Sequence, residues 1–317
     1  MKVALLFSGQ YRDIPDNVFL QGLDELTKKI DYDIYSYCWK EVGVSKNHKK
    51  IIPKTELDLN AERKIKKLLK GHNLKLSGSE LFKDFKDTLN EEYLQIINSS
   101  IFSHITIHSI PQIYMIYKSY KMIKNNMNDY DLIFRCRYDS IFIHPLNIYP
   151  LEKMSENNCI YNLNFGRAYY PNRIYDIFFG GSPKAMSFIE LLWNNLPKMI
   201  HNKLDNGLDK RDACRLLYIG SISKSIKTKS LETRVCDVFR NNNSNEYINY
   251  IISSHLSKNL ISVYTFQMLN YIFKWSDSNS LSSRLLIINI IKMLILYPIM
   301  IVKRVKYLRI NKNHFFK

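Results

Sequence analysis

The chain has 317 residues, 46% of them hydrophobic and 24% charged, which is enough apolar mass for one large domain or two smaller ones and argues against a disordered tail. Lysine and arginine number 46 against 29 aspartates and glutamates, a formal net charge of +17. This speaks against acidic metal-storage and scaffold roles and points to anionic partners: a nucleotide, a phospholipid surface or nucleic acid.

Val3-Ala4-Leu5-Leu6-Phe7 is a short apolar run that stops at Ser8-Gly9-Gln10. It reads as a buried strand of a parallel sheet feeding a turn, and it is too short for a signal-peptide core, so secretion is not expected. Asn17 stands where it can cap a helix carrying Leu20, Leu23, Leu26 and Ile30 at helical spacing, and Tyr32 to Tyr37 reads as a second strand. Lys46 to Lys54 reads as a basic loop, and Glu62 to Lys70 as a solvated amphipathic helix. From Pro111 to Met127, the residues Ile113, Ile116, Tyr117, Tyr120 and Ile123 share one helical face; Asn125-Asn126 then breaks the pattern before Asp131-Leu132-Ile133-Phe134 opens a buried strand. His104 and His108 stand four residues apart, but Ile105, Thr106 and Ile107 between them predict a strand, which speaks against a helical metal pair. Cys159 to Leu163 and Ile174 to Phe179 suggest two further strands, and Gly180-Gly181-Ser182-Pro183 leads into a helix with Met186, Ile189, Leu192 and Trp193 on one side. The five cysteines, Cys38, Cys136, Cys159, Cys214 and Cys236, form no CxxC pair, so a reducing, cytoplasmic setting is expected.

Two segments carry chemistry. Ser8-Gly9-Gln10-Tyr11-Arg12, after the first strand, offers a glycine for close backbone approach, polar side chains for a base or ribose, and an arginine for phosphate. In Arg135-Cys136-Arg137-Tyr138-Asp139, alternation along an extended chain puts Arg135, Arg137 and Asp139 on one side at the carboxyl end of a strand, the edge where open α/β sheets bind ligands. Such groups are costly to bury alone, so they either pair with one another, tying down the sheet end, or face a charged ligand. The sequence contains no GxSxG, Walker A or GxGxxG motif, which removes weight from hydrolase, NTPase and dinucleotide enzymes.

These pieces resemble bacterial surface-polysaccharide glycosyltransferases of the GT-A type. The resemblance rests on Ser8 to Arg12, Tyr130 to Asp139, Asp176-Ile177-Phe178-Phe179-Gly180-Gly181-Ser182, Leu208 to Asp212, and Arg234 to Arg240, in that order, and it covers roughly residues 1 to 240. It implies an α/β fold, a GT-A-like mixed sheet flanked by helices, and transfer of a sugar from a nucleotide-sugar donor to a lipid-linked glycan such as a lipopolysaccharide, O-antigen or capsule precursor. Ser8, Gly9, Gln10, Arg12, Arg135, Arg137 and Asp139 would then bind the donor. Asp139 stands where such enzymes often place a DXD motif and would hold a Mg or Mn ion or the donor ribose, although Arg137 occupies the place of the first carboxylate. Asp176, Asp209 and Asp212 are the candidates for the base that accepts the acceptor's proton, and Phe179, Gly180 and Gly181 for an acceptor or sugar contact.

Beyond Asn241-Asn242-Asn243-Ser244-Asn245, a linker by composition, residues 241–317 read as a helical, basic extension. After Asp277 there is no acidic residue, and Leu285 to Val302 is apolar except for Asn289, Lys292 and Pro298. Drawn as a helix, Arg284, Asn289, Lys292, Lys303, Lys306 and Arg309 fall within an arc of about 160°, the pattern of a helix lying on a membrane surface; packing on the protein's own core and spanning the bilayer are the alternatives. The expected setting is the cytoplasmic face of the inner membrane, with no nucleic-acid partner. A basic nucleic-acid-binding protein and a non-catalytic membrane adaptor of polysaccharide assembly are the competing functions.

Overall fold

The computed structural model describes residues 1–12, 16–42, 58–98, 103–142, 145–146, 150–163, 173–201, 213–231 and 236–238, all within the unit Met1–Val238. Asp209, Asp212 and the expected C-terminal helix lie outside the described residues, as does the basic loop from Lys46 to Lys54. Among the described residues, no helix is long and apolar enough to cross a membrane.

A seven-stranded mixed sheet forms the centre. Its strands are β1 (Lys2–Gly9), β2 (Asp31–Trp39), β3 (Leu74–Glu80), β4 (Leu132–Cys136), β6 (Cys159–Leu163), β7 (Phe178–Gly181) and β8 (Lys227–Leu231), in the order β3-β2-β1-β4-β7-β6-β8. The pairs β1–β2, β1–β4, β2–β3 and β6–β8 are parallel, whereas β7 runs antiparallel to both β4 and β6. The carboxyl ends of β1 to β4 therefore share one edge with the amino end of β7. A separate antiparallel pair joins β5 (Ser140–Phe142) to β9 (Cys236–Val238). The α/β class and the helix-flanked mixed sheet expected from the sequence are both present.

Sequence explains the central strands. Val3 to Phe7 are fully buried, because a parallel strand covered by helices on both faces has no polar side to alternate with. The helix α1 (Asp16–Leu26) follows, and it begins at Asp16, so Asn17 is its second residue rather than its cap. Phe19, Leu23 and Leu26 fill the core, while Leu20 and Ile30 are only half-buried; Phe19 wins the place by meeting the Phe7 ring edge-on at 5.6 Å between centroids. The short helix α2 (Ala61–Leu68) buries Ala61, Ile65 and Leu68 and leaves its lysines in water, as its amphipathic pattern requires. A further short helix, α3 (Glu91–Asn98), precedes α4 (Ser103–Ile123).

Three sequence expectations fail locally. The segment holding His104 and His108 is the first part of α4, not a strand, and Pro111 lies inside that helix instead of opening it. Local β-propensity is overridden by helix continuation, since α4 packs along β1 and β2. The third failure concerns Ile174 to Phe179: the strand starts only at Phe178 and runs through Gly180 and Gly181, which were expected to lead into the next helix. Ser182 then caps the following helix turn, α6 (Pro183–Met186), by accepting a 3.3 Å bond from the Ala185 amide. α7 (Phe188–His201) buries Ile189 and Leu192, and α8 (Ala213–Ser223) packs against it. α5 (Leu151–Glu156) precedes β6.

Candidate functional site

The candidate site forms at the shared strand edge. All of β4 is buried, including Arg135, of which 1% is exposed. A guanidinium within an apolar strand needs acceptors, and β1 supplies them: Arg135 Nε donates to Ser8 Oγ at 3.1 Å and Nη2 to the Ser8 carbonyl at 3.2 Å. The chain then turns at Gly9, whose φ of +113° is costly for any side-chain-bearing residue. This turn lays the end of β1 against the arginine. Gln10 is exposed at the same edge.

Beyond Cys136 the strand pattern stops, and Tyr138-Asp139 form a turn. Tyr138 anchors that turn: its hydroxyl bonds Ser36 Oγ at 2.8 Å and donates to the Phe7 carbonyl at 3.1 Å, and its ring packs on Phe7 and Tyr11. Arg135, Arg137 and Asp139 thus converge as expected, although the turn, not strand alternation, aims Asp139. Arg137 grips Asp139 with Nε to Oδ1 at 2.7 Å and Nη2 to Oδ2 at 2.6 Å, the two-pronged geometry in which guanidinium and carboxylate bind best. Arg12 Nη1 bonds the same Oδ2 from the other side.

Asp176 joins from across the sheet. Because β7 is antiparallel and Cys136 pairs with Phe178, the residue two places before Phe178 arrives beside Arg137. Its Oδ2 accepts from Arg137 Nη1 at 3.0 Å and lies 4.0 Å from Arg135 Nη1. Gln112 Nε2, from α4, donates to the same oxygen, and Cys214 Sγ, from α8, lies 3.5 Å from Oδ1. Among the described residues, three guanidiniums therefore meet two carboxylates, leaving one positive charge in excess. Among the described residues, Arg135 Nη1 has no hydrogen-bond partner.

The electrostatics follow from this arrangement. Burial alone would push the Asp139 carboxyl up, but Arg137, Arg12 and Arg135 outweigh it and hold it below the ordinary carboxylate range. Burial likewise disfavours the charged form of Arg137, and the two aspartates more than restore it, raising its pKa. Arg135 is pulled down to about 10 by burial, with Asp176 opposing, so it still carries its charge near neutrality.

The other site expectations divide. Phe179, Gly180 and Gly181 are not placed to contact a sugar. Phe179 is fully buried, and Phe178 stacks on Phe134 at 5.1 Å within the core. A Cβ on Gly180 would stand 2.3 Å from the Ile133 carbonyl oxygen, and one on Gly181 would stand 2.4 Å from that of Cys159. The glycines let β7 fit between its neighbours. Asp139 does not fit a divalent metal centre either: both its oxygens are engaged by arginines, and among the described residues no cluster of three metal-ligating side chains exists. Gln112 and Cys214, which reach Asp176, escaped sequence reading. Nothing in the α4 pattern marks Gln112.

No family model and no curated protein matches the chain. Among solved structures, it is similar to mouse xyloside xylosyltransferase 1 in its apo form, with a TM-score of 0.42 and 11% identity over 73% of this chain and 85% of that one.

Proposed function

We propose that the chain is a glycosyltransferase that binds a nucleotide-sugar donor by its diphosphate at the arginine cluster. One observation carries this reading: among the described residues, at the carboxyl edge of β1 and β4, Arg12, Arg135 and Arg137 form ion pairs with Asp139 and Asp176, three positive charges against two negative. The positive excess among the described residues supports an anionic ligand, which would neutralise it. The order of the sequence segments that resemble surface-polysaccharide GT-A enzymes supports the same reading. In the reaction, the acceptor hydroxyl oxygen bonds the anomeric carbon while the bond from that carbon to the diphosphate oxygen breaks, and the electron pair leaves on the diphosphate. Guanidiniums fixed against it stabilise that growing charge. The hydroxyl's proton passes to a carboxylate, a role we assign to Asp209 or Asp212, because Asp176 is held by Arg137 and Gln112.

For the acceptor we propose a lipid-linked glycan of a surface polysaccharide, reached at an anionic membrane by the basic and apolar segment after Asp277, where each nearby Lys or Arg adds about 1 kcal/mol of attraction. Incubation of the full chain with UDP-, GDP-, CMP- and TDP-sugars tests the donor half. Release of nucleotide from one of them, lost in Arg137→Ala, is expected. Turnover of none, together with binding of none, would overturn the proposal.

A further inference from the structure

Resting on that donor reading, we infer that the diphosphate is held by guanidiniums directly, with no divalent cation between protein and phosphate. In a metal-bridged site, a carboxylate keeps an oxygen open for a Mg or Mn ion, which demands close oxygen ligands at about 2.0–2.1 Å for Mg. Asp139 is the residue at the position such a carboxylate would occupy, and its three hydrogen bonds come from Arg137 Nε, Arg137 Nη2 and Arg12 Nη1. Asp139 is 1% exposed, so a cation would have to break a buried two-pronged ion pair to reach it. Asp176 offers no better site, because its Oδ2 already accepts from Arg137 and Gln112.

Charge argues the same way. The cluster carries three positive and two negative groups among the described residues; a divalent cation would raise its excess from one to three, whereas a diphosphate reverses its sign. Arg137 stands at the place of the first carboxylate of a DXD pair, so one residue both removes a metal ligand and supplies a phosphate ligand. Asp139 then acts as a positioning residue: it fixes the plane of Arg137, so that the remaining guanidinium N–H groups of that residue would meet phosphate oxygens. The guanidiniums of this set that reach the surface are those of Arg12 and Arg137, 23% and 18% exposed, while Arg135, 1% exposed and 4.0 Å from Asp176, stands behind them as a fixed positive charge.

The test uses wild-type full-length protein. The donor nucleotide found by screening UDP, GDP, CMP and TDP is titrated by calorimetry in EDTA, in MgCl2 and in MnCl2, and Mn binding is followed in parallel by electron paramagnetic resonance. Direct guanidinium contact predicts affinities that agree within about threefold in EDTA and in either metal. It also predicts a Mn signal in the protein–nucleotide mixture no more depleted than by the nucleotide alone. Binding that needs metal, weakening tenfold or more in EDTA, or Mn taken up by the complex beyond that control, would overturn the inference while leaving the donor site standing. Absence of binding for every nucleotide with and without metal would remove both.

Discussion

Asp139→Asn removes one negative charge from the cluster and keeps the shape of the side chain. The carboxylate is almost wholly buried, and Arg137 and Arg12 are 18% and 23% exposed at their side chains, so solvent screens the loss only in part. Both Asp139 oxygens accept guanidinium N–H groups, so the amide nitrogen, itself a donor, meets another donor whichever way the Asn is turned. Three guanidiniums would then face Asp176 alone. Breaking a buried pair by removing one partner costs about 3–5 kcal/mol, a large part of a total stability of about 5–15 kcal/mol. For a domain of this size that corresponds to a fall in melting temperature of about 6–20 °C. Circular dichroism melts of wild type, Asp139→Asn, Arg137→Met and the double variant measure both the loss and the coupling. The double variant should melt above Asp139→Asn, since it removes the orphaned charge. A shift below about 2 °C for Asp139→Asn, or strictly additive effects in the double variant, would show that the cluster is not an interdependent ion-pair network.

Acid should expose the same carboxylate. Its pKa is held low in the folded chain, so its stabilisation is complete above the unfolded value of about 3.9 and disappears as pH falls through the lower folded value. Melting curves of wild type and Asp139→Asn are therefore expected to converge only below about pH 4, and convergence already at pH 6 would contradict the pairing. Arg135→Met exchanges a desolvated charge for an apolar chain of similar reach and takes a donor from the buried Ser8 hydroxyl and carbonyl; we expect a stability loss of about 1–3 kcal/mol and, in the folded protein, nucleotide affinity at least tenfold lower by calorimetry. Gly180→Ala forces a methyl against the Ile133 carbonyl and the Phe134 ring, and overpacking of this kind costs about 1–3 kcal/mol. A lower melting temperature with unaltered affinity in the remaining folded fraction would confirm its packing role. Burial pushes the Cys38 thiol up to about 12, so mass spectrometry after iodoacetamide treatment of native protein at pH 8 should find Cys38 unmodified.

Much of the candidate site's arrangement was legible in the sequence, because it sits on local signals. The apolar run Val3 to Phe7 ending at Ser8-Gly9 and the strand ending at Arg135-Cys136-Arg137 are short patterns whose strand ends bring the key groups to one edge. The parts that sequence did not reveal depend on contacts between distant segments. Asp176 meets Arg137 because of the antiparallel register of β7, and Gln112 reaches it from an α4 face with no polar signature. The two glycines read as the lead-in to a helix because they stand directly before Ser182-Pro183; here, the tight spacing between β4, β7 and β6 requires them in the strand.

The most direct measurement compares a nucleoside diphosphate with its bare nucleoside, titrated into wild type and Arg135→Met in the same buffer. If the arginines hold the diphosphate, wild type prefers the diphosphate by about 100-fold or more, two charge-assisted contacts at about 1.5–3 kcal/mol each, and the preference shrinks at least tenfold in the variant. Equal affinity for nucleoside and diphosphate in wild type, or a preference unchanged in Arg135→Met, would contradict a diphosphate site at this cluster.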